Sequence, residues 1–154
     1  MLKLIGYWSG GPEFDESGRI CLQSEKWIDP KLLVDETYAG EYRPLLVEYL
    51  KSGVELNHQL GCSFCRFSDG PPVHEMGCCE KTDGVWVWPE GLWIYAERYR
   101  IRLPDEFLLH AKRNNFRIPS GIGTGIGDLG YDLDFWDGWC KNQKAKSVKQ
   151  QAGE

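Results

Sequence analysis

Thr82-Asp83-Gly84-Val85-Trp86-Val87-Trp88-Pro89-Glu90-Gly91-Leu92 is the stretch whose reading decides the fold. Asp-Gly is the strongest short hairpin signal, because both residues tolerate a positive φ. Val85 to Trp88 follows as a short strand that is apolar on both faces. Trp88 precedes a proline, which keeps it extended. Pro89 then opens a helix with Glu90 in its first turn, where the helix dipole favours an acid. Leu92, Tyr95, Ala96 and Tyr99 supply the apolar stripe of that helix.

The same device recurs on either side. Pro44 opens a helix to Ser52 with Leu45, Leu46, Tyr49 and Leu50 on one face and Gly53 after its end. Pro104 opens another, with Asp105 and Glu106 in its first turn and His110, Lys112 and Arg113 at its end. Its inward face is Phe107, Leu108 and Ala111. Leu2 to Trp8 reads as a central strand. Val54, Leu56, His58 and Leu60 alternate with Glu55, Asn57 and Gln59, the period of a strand with one dry face. Asp29-Pro30 predicts a helical turn. The expectation is a single α+β domain over 1–140, a small antiparallel or mixed sheet packed by three or four short helices. Within it, 117–140 is a Gly-, Asp- and Trp-rich extension docked through Tyr131, Phe135, Trp136 and Trp139. Residues 141–154 read as a basic, disordered tail.

The chain has 154 residues, enough for a real core without staples. Net charge is −5 and aromatics reach 13%, with seven Trp. An acidic balance argues against a nucleic-acid partner. No apolar run approaches a membrane span, and no signal peptide or lipidation motif is visible. The expected location is cytoplasmic, which favours reduced thiols.

The six cysteines raise the question of zinc. Cys62-x2-Cys65 has the spacing of a zinc knuckle, but Cys78 and Cys79 are adjacent and cannot form a second one. One of them with His74 or His58 would complete a site begun by Cys62 and Cys65, so the candidate ligands are Cys62, Cys65, Cys78 and Cys79. Buried reduced thiols and a disulfide are the other two readings. No cofactor is expected otherwise. For Cys–His catalysis only His74 is open. His58 lies on a dry strand face, and the dipole explains His110 at a helix end.

Gly125-x-Gly127-x-x-Gly130 matches a dinucleotide fingerprint by letter only. Too little chain follows it for a second strand, and Asp128 would repel a pyrophosphate. Asp132-x-Asp134-x-x-Asp137 fails as an EF-hand, since its twelfth position is Gln143. A partner surface fits the segment better. Asp128, Asp132, Asp134 and Asp137 lie among Tyr131, Trp136 and Trp139, pairing negative charge with aromatic area. The partner-binding residues expected from this are Asp128, Asp132, Asp134, Trp136, Asp137 and Trp139.

The signature Thr82-Asp83-Gly84-x-Trp86-x-Trp88-Pro89-Glu90-Gly91-Leu92-x-x-Tyr95, followed by Arg102-Leu103-Pro104-x-x-Phe107, resembles a family of small bacterial proteins with no established activity. The opening Leu4-Ile5-Gly6-Tyr7-Trp8 and the pair Cys65-Arg66 are similar too. Relatives carry a second Cys where Phe67 and Ser68 stand here, which weakens the zinc and catalytic readings. The resemblance implies a folding unit and no mechanism. The expectation is a non-enzymatic binding protein, an immunity protein that neutralises an antibacterial toxin. Its partner would be a basic toxin domain, because an acidic inhibitor speeds that encounter. A small zinc-binding accessory domain and a hydrolase are the alternatives.

Overall fold

A computed structural model describes residues 1–10, 25–56 and 64–153. Five strands and five α-helices run in the order β1 (Leu2–Leu4), α1 (Arg43–Ser52), β2 (Val54–Leu56), α2 (Val73–Met76), β3 (Glu80–Thr82), β4 (Trp86–Pro89), α3 (Leu92–Arg98), α4 (Asp105–Arg113), β5 (Tyr131–Asp132) and α5 (Asp134–Ala152). The strands form one mixed sheet in the order β2-β3-β4-β1-β5. The first three pair antiparallel. β1 lies parallel to both β4 and β5. This is the α+β domain expected, with five helices among the described residues in place of three or four. None of these helices is long and apolar enough to cross a membrane.

The quoted stretch does build the centre of the sheet. Trp86, Val87 and Trp88 are buried, so β4 is apolar on both faces as read. Its turn is longer than two residues: β3 ends at Thr82 and β4 begins at Trp86, leaving 83–85 between them. The side chain of Asp83 causes this. Its Oδ1 accepts from the backbone N–H of Val85 at 2.9 Å and of Trp86 at 2.7 Å. A carboxylate that bonds two successive amides holds the chain in a wider arc than a two-residue turn allows.

α1 buries Leu46, Val47, Tyr49 and Leu50, while Leu45 faces solvent. Gly53 ends it where the chain crosses Trp88. A Cβ there would stand 2.7 Å from the Trp88 ring and 2.8 Å from Lys81 Cβ, so only glycine fits. The Trp88 indole N–H in turn donates to Leu50 O at 3.0 Å, tying β4 to the end of α1. α4 buries Phe107, Leu108 and Ala111 as its period requires. The strand read over 54–60 is seen at Val54–Leu56, and His58 lies outside the described residues.

The last forty residues correct two expectations. The basic tail is not frayed: residues 141–152 are the second part of α5. Lys, Gln and Ala are good helix formers, and Lys144 Nζ donates to Glu25 O at 2.6 Å. Trp136, expected on a partner surface, is fully buried. Its ring meets Trp8 edge-on at 5.4 Å, stacks on Trp139 at 4.9 Å, and its N–H donates to Tyr7 O at 2.7 Å. This one side chain fastens α5 to the β1 end of the sheet. Trp136→Ala should cost about 3–5 kcal/mol of stability, read as a lower urea midpoint. Trp136→Phe, which keeps an aromatic ring but loses the indole N–H and part of the ring volume, should cost less.

Candidate functional site

The sequence-derived site residues separate into three places. The first is the edge of the sheet at β5. Asp128 and Asp134 are exposed there and Asp132 is half-buried. Asp132 Oδ1 accepts the Asp134 N–H at 3.1 Å, which orders the entry to α5. Leu129 and Leu133 stand among these acids, 53% and 43% exposed. Asp137 does a different job. It accepts the Trp27 indole N–H at 2.8 Å and lies 3.8 Å from Lys26, holding the 25–28 segment against α5. Trp139 is half-buried under the Trp136 stack. The outward face is therefore Asp128, Asp132 and Asp134 with two leucines, and the tryptophans form its support.

The second place is the cysteine segment. Cys62 lies outside the described residues. Cys65 and Cys79 are half-buried free thiols, and Cys78 is disulfide-bonded. A disulfide sulfur is no thiolate, so Cys78 offers a metal nothing while so bonded. Among the described residues no group of three or more His, Cys, Asp or Glu is placed to hold a metal ion. Burial, then the negative charges of Glu90, Glu55 and Glu80, push the Cys79 thiol up. That is the wrong direction for a nucleophile. His74 is 79% exposed and faces Glu75 at 4.0 Å. Among the described residues no group joins it to cysteines as a metal-holding cluster.

The third place escaped sequence reasoning. The Asp83 carboxylate is wholly buried, and the Tyr49 hydroxyl donates to its Oδ2 at 2.6 Å. His110 Nε2 stands 3.1 Å from the same oxygen, with the His110 side chain 23% exposed. Asn114 Nδ2 donates to Tyr49 Oη at 3.3 Å and closes the cluster. Burial, followed by the hydrogen bond to Asp83, drives the Tyr49 phenol well above its usual range. Asn114 Nδ2 also lies 3.2 Å from His110 Nε2. The group spans β3–β4, α1 and α4, so its visible role is to lock the turn to two helices. His110 was read as a dipole partner; the signal that it also meets Asp83 is absent from local sequence, because the two are joined only through the fold.

No family model matches the chain, and no match is found among curated proteins or solved structures. What the site and fold define is a mixed-sheet α+β domain with an acidic, leucine-bearing sheet edge.

Cys140 gives a pH test of the α5 seat. It is buried and free, and burial pushes its thiol from 9.0 up to about 12. The folded state thus keeps a proton that the unfolded state releases at lower pH. Stability contributed by this thiol is complete below pH 9 and is lost as pH rises toward 12. Urea unfolding across that window should show a downward slope that Cys140→Ala makes shallower. Iodoacetamide with peptide mapping should label Cys140 after Cys65 and Cys79 in native protein.

Proposed function

We propose that the protein works by covering a basic protein partner, and that it is an immunity protein whose partner is a cognate antibacterial toxin domain. The observation that carries the reading is the face at β5 and the start of α5. There the exposed Leu129 and Leu133 alternate along the chain with Asp128, Asp132 and Asp134, whose side chains are exposed or half-buried. Apolar side chains contribute area that leaves water on binding, and the acids around them steer a cationic partner and set its orientation. The face is preorganised. Asp132 fixes the first turn of α5, and Trp136 anchors the next residues in the core. A rigid face loses little freedom on association.

The net charge of −5 acts in the same direction, raising the encounter rate with a basic domain at low salt. Toxins that act on nucleic acids carry basic surfaces for their own substrates. An acidic cover would compete for that surface and block it. The reading assigns no chemistry to this chain, and the raised Cys79 thiol and the outward His74 agree with that.

The experiment is co-expression with a basic toxin domain encoded by an adjacent gene, followed by stopped-flow association of the purified pair. Rescue of growth is expected, with an association rate that falls as salt rises. Replacing Asp128, Asp132 and Asp134 together by Lys should slow association at least roughly tenfold and remove most of the salt dependence. Unchanged rescue and kinetics in that triple variant would sink the proposal.

A further inference from the structure

α5 changes character along one face. Trp136 and Cys140 are its buried residues. The same stripe continues, at helical spacing, as Gln143, Ser147 and Gln150. Polar side chains do not seal a dry contact, and the helix leaves a trench against the chain beside it. Two cavities lie there, of about 400 and 200 Å³, and Arg102, Gln143 and Lys146 line both. Leu32 to Glu36 forms one wall of the larger cavity. Asp105, Glu106 and Trp139 line the smaller. Together they have the size of a ligand site.

Arg102 stands where the cavities meet. Its guanidinium carries five N–H donors, and no hydrogen bond to the described residues uses any of them. Nε is buried without a hydrogen bond. Asp35 and Asp105 lie at 3.6 and 3.8 Å, close enough to attract but beyond hydrogen-bonding distance. Across the trench Lys146 makes no ion pair among the described residues. The guanidinium lies over the Tyr38 ring at 5.3 Å between these two carboxylates, and a fork with no hydrogen bond made suits a planar anion, which a carboxylate matches with two parallel bonds.

The other charges decide which anion. Asp35, Glu36, Asp105 and Glu106 line the same trench. Glu36 is paired with Arg100, and the rest leave the site poor for a doubly charged phosphate. A ligand that brings a cation beside its carboxylate meets both signs. The amide and hydroxyl side chains of Asn142, Gln143, Ser147 and Gln150 suit peptide groups between the two. We infer that this trench binds the C-terminal end of a basic peptide: its carboxylate sits on Arg102 and Lys146, and a neighbouring cationic side chain sits on Asp105 and Glu106. This site is separate from the β5 face and does not rest on the immunity reading.

The test is calorimetric titration of the full chain with the peptide Ala-Lys-Ala-Lys-Val, as the free acid and as the C-terminal amide. The free acid should bind, with ¹⁵N spectra shifting the Arg102 Nε–H and the Trp139 indole N–H. The amide should bind roughly tenfold or more weakly, the usual loss for a charge-assisted hydrogen bond. Lys146→Gln, at an exposed helical position that does not threaten folding, should weaken the acid and leave the amide unchanged. Arg102→Gln, with its fold checked by circular dichroism, should do so more strongly. Ala-Glu-Ala-Glu-Val should bind more weakly than the lysine peptide. Equal affinity for acid and amide, equal affinity for the glutamate peptide, displacement by equimolar inorganic phosphate, or no binding of the lysine peptide would each overturn the proposal.

Discussion

The fold turns on the buried carboxylate of Asp83. Taking a charge out of water costs several kcal/mol unless the protein replaces the lost hydrogen bonds. Here three donors do so, two backbone amides of its own turn and the Tyr49 hydroxyl from α1, and His110 Nε2 from α4 stands 3.1 Å away. Each comes from an element that must be in place for the others to be satisfied. Removing any one leaves a buried acceptor short, which is far more costly than the bond alone is worth. The hairpin at the sheet centre, the helix before it and the helix after it are thereby one cooperative unit.

Around that unit the aromatic residues do the packing. Trp86 and Trp88 both meet Phe107 edge-on at 5.5 Å, and Tyr49 stacks against Trp88. The other end of the sheet has its own group, Trp8 with Tyr95 and Trp136. The high aromatic content is therefore largely structural. Large flat side chains bury much area in a short chain.

Local signals reached much of this. The prolines at the starts of α1 and α4 and the period of Val54 to Leu56 depend on neighbours in sequence, and these elements stand where they were read. Pro89 instead ends β4, and α3 begins at Leu92 after Gly91, without Glu90 in its first turn. The misreadings share a cause. The turn is wider than two residues because Asp83 bonds two amides of its own loop and Tyr49 at once. Trp136 is core because Tyr7 O lies 2.7 Å from its indole nitrogen, 129 residues away in sequence. The tail is helical although its apolar stripe ends at Cys140, so a periodicity test finds nothing to detect. The candidate face kept its acids and lost its tryptophans for the same reason: charge announces exposure, whereas an aromatic ring fits either side of a surface.

Trp136 also governs both surfaces proposed above. Burying its indole fixes the rotation of α5 about its own axis. With that phase set, Leu133 and Asp134 at the helix start are turned outward beside β5. At the far end the stripe below Trp136 and Cys140 has become Gln143, Ser147 and Gln150, which face the neighbouring chain without packing on it. A helix whose inner face was apolar throughout would close onto Leu33 and Leu103 and leave no trench. The helix is thus seated by one apolar turn and held away from the body by a polar one. The second condition is what leaves the donors of Arg102 open.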